Sequence, residues 1–232
     1  MDPYERFRGP VERSPGFDPT PVKPRLVAAK EQAAATGKRL TGQADPARRK
    51  RLPPGQERVT SFPVLDLGSR PLVDPKSWSL TWGGLCEAPG RLDWRAFNTL
   101  GPVERVTDIH CVTGWSRFDN RWRGVPMMAI LDRVRPMRQA THAIFKGHDG
   151  FGTALALGDL KRPDVLLATD WEGAPLAREH GGPLRLVVPH LYFWKSAKWV
   201  KQIWFTEGDP GGYWENRGYH HRGDPWKEER YG

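Results

Sequence analysis

The stretch Thr107-Asp-Ile-His-Cys-Val-Thr-Gly-Trp115 places a thiol at the end of a predicted strand. Apolar and polar residues alternate from Val103 to Ile109, which predicts the strand, and Gly114 predicts a turn directly after it. Cys111 is therefore expected where open space and backbone amides can both reach its sulfur. The alternative is a packing role, because free cysteines are among the most often buried residues.

Composition places the folded core in the C-terminal three quarters of the chain. The protein has 232 residues, 38% of them hydrophobic, and all eleven tryptophans lie at or beyond Trp78. Of the formal charge of +9, residues 1–58 contribute +6 (13 Lys and Arg against 7 Asp and Glu), and residues 59–232 contribute +3 (23 against 20). We therefore predict an irregular basic segment over residues 1–58 and one domain over residues 59–232.

The N-terminal segment is expected to contain one short helix. Helix-forming residues fill positions 26–36, and Gly37 follows them. The basic run at 47–51 allows two interpretations, a contact with nucleic acid or a solvated tail. No aromatic side chain interleaves these charges, which favours the solvated tail over a nucleic-acid partner.

Neither an export signal nor a membrane span is apparent. Residues 1–10 are charged and contain proline, and no apolar stretch approaches the roughly 18 to 20 residues of a membrane span. The two cysteines, Cys86 and Cys111, could form only one disulfide, which is not enough to stabilise the fold of a chain of this size. We expect a cytoplasmic protein with reduced thiols and no membrane contact.

From residue 59 onward, short apolar runs between proline and glycine predict an α+β fold rich in strands. Strands are predicted over residues 78–82, 103–112, 141–145, 181–189 and 199–205. Helices are predicted over 93–100, with Asp93 as a candidate N-cap, and over 126–134. Residues 62–68 are predicted to be extended, and residues 211–231 to form a packed aromatic loop.

Two common cysteine chemistries do not fit Cys111. His110 is its neighbour on an extended chain, so the two side chains point to opposite faces and His110 is badly placed as a base. A zinc site would need a second thiol or imidazole at short spacing, and neither Cys86 nor Cys111 has another thiol two to four residues away.

A group of cations predicts a pocket for a polyanion. Arg185 lies between two leucines, where a guanidinium is costly unless it meets an anion. Lys195 and Lys198 flank a tight turn soon afterwards, and His180 precedes a Gly-Gly pair. An arginine fork, lysine charges and turn amides together suit phosphate-type oxygens. Each lysine alone could equally be a solvated side chain.

Five blocks in a fixed order carry a family resemblance: residues 109–116, 148–153, 179–189, 195–200 and 212–220. Together they resemble the molybdopterin-binding oxidoreductases of the sulfite oxidase fold, and within them the small cytosolic sulfite-oxidase-like proteins. The resemblance covers about residues 58–232. It implies a mixed, β-rich fold with short helices, preceded here by an irregular N-terminal tail.

The resemblance also implies a cofactor, molybdenum held by molybdopterin. Cys111 would give the metal its one protein thiolate, a soft ligand that suits it. The residues implied as cofactor contacts are Phe62, Leu65, Asp66, Gly147 through its backbone, His180, Arg185, Ser196, Ala197 and Lys198. The polyanion pocket inferred from the residues themselves adds Lys195.

The expected activity is two-electron oxygen-atom transfer, with no haem domain in the chain and a separate protein as electron partner. Sulfite oxidases carry arginines just after the cysteine, whereas Val-Thr-Gly-Trp follows Cys111, so the substrate stays open between a sulfite-like ion and an S- or N-oxide. Candidates for the substrate side are Trp115, Arg117, Arg121, Trp122 and Tyr192, each of which could instead be structural. The alternative function is a non-enzymatic nucleic-acid-associated protein that uses the basic N-terminal tail.

Overall fold

The computed structural model describes residues 23–36 and 51–232. The helices in these ranges are α1 (Pro24–Thr36), α2 (Trp94–Asn98), α3 (Met127–Val134) and α4 (Leu157–Leu160). The strands are β1 (Glu57–Arg58), β2 (Ser79–Gly84), β3 (Gly90–Asp93), β4 (Val103–His110), β5 (Trp115–Pro126), β6 (His142–Gly147), β7 (Gly152–Ala156), β8 (Leu166–Trp171), β9 (Ala174–Pro175), β10 (Arg185–Val187) and β11 (Val200–Thr206). No helix of the described ranges is long and apolar enough to cross a bilayer.

One sheet of the described residues is organised around the long strand β5. Strand β4 pairs with it antiparallel from Val103 to His110, and β1 pairs parallel with its first two residues. Strand β8 pairs antiparallel with its C-terminal half, and β10 and β9 pair with β8. The loop between β4 and β5, which carries Cys111, therefore lies at one end of this sheet.

The second sheet has the order β3-β2-β11-β6-β7. Strand β11 is its centre, parallel to β2 and antiparallel to β6. A register shift between Val200 and Gln202 interrupts the alternation of β11. Because of this shift, Val200 is buried with Ile203 and Phe205, although strict alternation places Val200 on the other face.

A shared apolar core holds the two sheets. Leu167 and Leu186 of the first sheet and Phe145 and Ile203 of the second belong to one buried cluster, which helix α3 joins through Ile130. Burial of this kind stabilises the fold at roughly 25 cal/mol per Å² of apolar surface. The predicted α+β class is confirmed.

Most predicted elements occur, with shorter or longer bounds. Asp93 caps α2 as predicted, since its Oδ1 accepts a hydrogen bond from the amide of Ala96 at 2.8 Å. The predicted strand over 181–189 is limited to β10, so Arg185 begins that strand and does not lie in its middle. Strand β5 was not predicted, although its burial alternates over several residues.

The division of the chain at residue 58 stays a prediction, but the described residues on its N-terminal side pack against the domain. Helix α1 buries Val27 and Ala33, Leu52 is buried, and β1 joins the first sheet. Of the basic run at 47–51, only Arg51 lies in the described part. Its guanidinium forms ion pairs with Asp108 at 2.6 Å and Asp119 at 2.5 Å.

Candidate active site

Cys111 lies in a tight turn between β4 and β5. Its amide donates to the carbonyl of Trp115 at 2.8 Å, and the amide of Gly114 donates back to the Cys111 carbonyl at 3.0 Å. Gly114 has φ of 105°, a left-handed conformation that favours glycine. The sulfur accepts a hydrogen bond from Thr113 Oγ1 at 3.2 Å. The turn thus fixes the position of the sulfur from both sides.

Two distant residues brace this turn. Gln56 donates through Nε2 to the carbonyl of Cys111 at 3.1 Å. Arg230 donates to the carbonyl of Val112, and its other nitrogen donates to the carbonyl of Gly55 at 3.3 Å. These three bonds tie the turn to residues far away in the chain.

The sulfur faces a pocket of about 770 Å³. The sequence-predicted residues that line this pocket are Phe62, Leu65, Asp66, Cys111, Trp115, His180, Arg185, Ser196, Ala197 and Lys198. These residues come from three separate stretches of the chain and from the turn that carries the cysteine. The structure therefore brings together most of the predicted cofactor contacts.

Arg185 is a buried guanidinium whose partners are backbone carbonyls. It donates to His180 O at 2.8 Å and to Ser196 O at 3.1 Å, and it lies 4.3 Å from the ring centre of Phe193. Among the described residues no carboxylate forms an ion pair with it. Burial lowers its pKa to about 9, which measures the cost of the uncompensated charge. Such a group favours an anionic ligand.

Lys198 adds a second cation to the same part of the wall. Its Nζ donates to the carbonyl of Glu179 at 2.8 Å and lies 3.9 Å from Asp66 Oδ2. Burial, and then the charge of Arg185, lower the pKa of Lys198 to about 7. A bound anion would raise this pKa again, so ligand binding and protonation of Lys198 favour each other.

Asp66 is held by cations outside the pocket. Lys23 donates to its Oδ1 at 2.6 Å, and Arg70 donates to its Oδ2 at 2.8 Å. Although burial acts to raise its pKa, these two hydrogen bonds and the charge of Lys198 lower it. Asp66 is therefore ionised at neutral pH and positions Lys198 without neutralising Arg185.

His180 is a neutral ring in this setting. Its imidazole stacks on Phe62 with centres 4.0 Å apart and planes 6° apart. Burial, followed by the charges of Arg185 and Lys198, lowers its pKa to about 4. The imidazole can therefore donate one hydrogen bond and accept another at pH 7, and it adds no charge.

Asp149 lies on the glycine-rich turn and lines the pocket, although it was not singled out from the sequence. Its Oδ1 accepts from the amide of Phe151 at 3.1 Å, yet burial raises its pKa to about 6. Gly147 is beside it but does not line the pocket. A side chain at Gly147 would collide with Asp149 and with the carbonyl of Lys198, so its role is the close approach of two turns.

Lys195 does not reach the pocket. Its side chain is fully buried and forms an ion pair with Glu215, which is also fully buried. Its Nζ also donates to the carbonyls of Ala154, at 2.9 Å, and His221. All three donors of the ammonium are thereby used within the fold.

The other predicted substrate-side residues, apart from Trp115, are not part of the pocket wall. Arg117 lies 4.7 Å over the ring of Trp171 and bonds to Glu172 at 3.1 Å, and Arg121 is exposed. Trp122 is completely buried, with its Nε1 donating to Thr107 at 3.1 Å. Tyr192 is buried against the ring of Trp194, with centres 5.5 Å apart.

Lys30 lines the pocket but was not predicted from the sequence as a site residue. It lies on α1, it is only 6% exposed, and its Nζ is 4.4 Å from the ring centre of Trp214. Trp214, Trp194 and Phe151 also line the pocket. The helix was predicted from composition, but nothing local to residues 26–36 indicates which face meets the pocket.

The donor set fits an anionic organic cofactor that carries a soft metal. A thiol is the ligand that soft metals prefer, and buried cations without carboxylate partners suit phosphate-type oxygens. Cys111, Arg185 and Lys198 share one pocket.

Comparisons with known proteins agree with this fit. Residues 67–214 match the sequence profile of the family described as "Oxidoreductase molybdopterin binding domain". A protein named "Uncharacterized oxidoreductase YuiH" from Bacillus subtilis is 45% identical over 182 residues, 78% of this chain and 92% of that one. The catalytic subunit MsrP of a protein-methionine-sulfoxide reductase from Xanthomonas axonopodis pv. citri is 32% identical over 155 residues, 60% of this chain and 48% of that one.

Among solved structures, the sulfane dehydrogenase SoxCD from Paracoccus pantotrophus aligns with a TM-score of 0.56 and 19% identity. The alignment covers 72% of this chain and 56% of that chain. At this identity the likeness shows a shared fold. The chain spans about half the length of MsrP and SoxCD, and nearly all of YuiH.

Proposed function

The chain belongs to the oxidoreductase molybdopterin-binding family, the sulfite-oxidase-like enzymes that hold a molybdenum–molybdopterin cofactor, and from this premise we propose that it carries out two-electron oxygen-atom transfer on a small substrate beside Cys111. One observation carries this proposal. Cys111 lines the same pocket as the buried guanidinium of Arg185 and the partly buried ammonium of Lys198. A soft ligand for a metal and a site for a phosphate group thus occur within one ligand's reach.

Each residue has a distinct task in this proposal. Cys111 would hold the metal, and Arg185 and Lys198 would bind the charged end of the cofactor. His180, a neutral ring stacked on Phe62, would orient the cofactor by hydrogen bonding. The bound cofactor supplies a metal that exchanges two electrons and one oxygen atom with the substrate. The aromatic wall excludes water from that exchange.

The relatives support a sulfur-containing substrate and a separate electron partner. The name of MsrP refers to protein methionine sulfoxide and to a catalytic subunit, and the name of SoxCD refers to sulfane. We extend the proposal to an S-oxide or sulfite-like substrate and a redox protein encoded elsewhere. A cytoplasmic location also belongs to the proposal, supported by two free thiols, Cys86 and Cys111.

The test is the metal and pterin content of protein purified from a molybdate-supplied host. The parent is expected to carry about one molybdenum per chain, and Cys111→Ala much less, because the thiolate is the metal's bond to the protein. Cys86→Ala is the matched control, since Cys86 is equally a free buried thiol but does not line the pocket. A metal-free parent, or full molybdenum in Cys111→Ala, would overturn the proposal.

A further inference from the structure

Helix α1 is fixed to the domain and forms part of the pocket wall. Lys23, just before it, donates its backbone amide to Leu67 O at 3.0 Å and its ammonium to Asp66 at 2.6 Å. Further along the helix, Glu31 pairs with Arg217 at 3.0 Å. These contacts hold one side chain of the helix, Lys30, inside the pocket. Lys30 lies outside residues 67–214, the segment that matches the family.

The ammonium of Lys30 is buried without a carboxylate. Its closest described ring is that of Trp214, 4.4 Å away, and no described Asp or Glu forms an ion pair with it. Burial lowers the pKa of Lys30, and Lys30 and Cys111 line the same pocket. A buried cation of this kind is costly until it meets negative charge.

Lys30 belongs to a different part of the wall from the other cations. Lys198 is influenced by Arg185, Asp66 and Asp149, and the guanidinium of Arg185 lies over Phe193. Lys30 lies instead over Trp214, which packs in one apolar cluster with Cys111. If Arg185 and Lys198 hold the charged end of the cofactor, then Lys30 faces the end that carries the metal.

The surroundings of Lys30 also limit the ligand that it can bind. Trp214, Val112 and Phe151 line the pocket with apolar surface. One ammonium against such a wall suits a small molecule that presents a single charged or strongly polarised oxygen. A charge-assisted hydrogen bond would direct that oxygen, and such bonds are stronger than those between neutral groups.

We propose that Lys30 is the specificity-determining residue of the substrate site, where its ammonium binds the negative oxygen of the substrate beside Cys111. The inference rests on the proposed function. The cation that selects the substrate would then lie on helix α1, outside the residues that match the family. Arg185 and Lys198 remain cofactor groups, so the two sets of cations have separate effects when changed.

The experiment compares the molybdenum-loaded parent with Lys30→Met and Lys30→Arg. Arg25→Met is the matched control, because Arg25 is an exposed cation on the same helix. Turnover is measured with sulfite and ferricyanide, and with dimethyl sulfoxide or trimethylamine N-oxide and a reduced viologen. Sulfate serves as an unreactive anion, and its binding is followed by inhibition and by quenching of tryptophan fluorescence.

Lys30→Met is expected to keep the molybdenum content of the parent and to raise both KM and the sulfate dissociation constant about tenfold or more, with kcat changed much less. Lys30→Arg and Arg25→Met should stay within about threefold of the parent in both constants. The split between KM and kcat separates substrate binding from a purely structural role.

Two results would overturn the inference alone. The first is an unchanged KM and unchanged sulfate binding in molybdenum-loaded Lys30→Met. The second is loss of molybdenum from that variant, which would make Lys30 a cofactor group. A parent without molybdenum would overturn the proposed function and the inference together. Lys30→Met should fold at least as stably as the parent, because it removes a buried unpaired charge.

Discussion

Lys195 and Lys198 lie three residues apart, yet the fold uses them in opposite ways. Lys195 is fully buried and paired with the buried carboxylate of Glu215. Lys198 lines the pocket, with a carbonyl of Glu179 at 2.8 Å and the nearest carboxylate, Asp66, at 3.9 Å. Glu215 Oε1 also accepts from Thr153 Oγ1 at 2.9 Å, so Lys195 belongs to a network of buried hydrogen bonds.

The presence or absence of a carboxylate partner separates structural cations from cations that can bind a ligand. A buried cation that meets a carboxylate and two carbonyls has no capacity left for a ligand, and breaking it leaves a buried charge behind. A buried cation bonded to carbonyls alone keeps its positive charge for an incoming anion. Among the described residues, Arg185 bonds to the carbonyls of His180 and Ser196, Lys30 lies over the ring of Trp214, and neither forms an ion pair with a carboxylate.

The largest expected effect comes from breaking the paired cation. Lys195→Met should lower the free energy of unfolding by about 3 to 5 kcal/mol, because it leaves the Glu215 carboxylate buried and unpaired. Urea denaturation of the cofactor-free protein measures this. The double variant Lys195→Met/Glu215→Leu should recover part of the loss, since both charges are gone. A change below about 1 kcal/mol in the single variant would refute the structural role.

The same substitution at Lys198 is expected to spare the fold and weaken the site. Lys198→Met should reduce cofactor affinity about tenfold to a hundredfold, since a charge-assisted contact is lost. The unfolding free energy of the cofactor-free protein should not fall, because a lysine whose pKa is lowered to about 7 in the folded state costs stability at neutral pH relative to the unfolded chain. Pterin content after dialysis and urea denaturation give the two values. The exposed Lys76→Met is the control, and equal pterin loss in both variants would contradict the assignment.

A smaller effect, with a defined pH dependence, is expected at Asp149. Its folded pKa of about 6 lies above the ordinary aspartate value of 3.8, so the folded protein binds an extra proton between these two pH values. The contribution to stability is present below about pH 4 and is lost as pH rises through 6. Asp149→Asn should therefore stabilise the cofactor-free protein by about 1 to 2 kcal/mol at pH 7.5 and hardly at all at pH 4. Denaturation at the two pH values checks this, and a destabilised variant at pH 7.5 would contradict it.

The parts of the site predicted correctly from the sequence are those that depend on local pattern. Alternation before Cys111 and Gly114 after it located the end of β4, and the structure places the thiol there. The family resemblance implied Phe62, Asp66, His180 and other residues that line the pocket. Local alternation was present in β5 as well, but no strand was predicted over its residues.

The roles of the lysines could not be predicted, because they depend on partners far away in the chain. The carboxylate that pairs with Lys195 is twenty residues away, and nothing in the turn itself separates Lys195 from Lys198. The position of Lys30 depends on contacts between α1 and residues of the aromatic segment such as Trp214. Helix-forming composition predicts that a helix exists, but not the surface on which it lies.

The bracing of the cysteine turn has a consequence for how the enzyme matures. Gln56 is 55 positions from Cys111, and Arg230 is 118 positions from Val112, so these braces form only when remote parts of the polypeptide have assembled. Contacts over such separations are slow to form during folding. The thiol thus reaches its final orientation late, and metal loading should follow chain folding instead of guiding it.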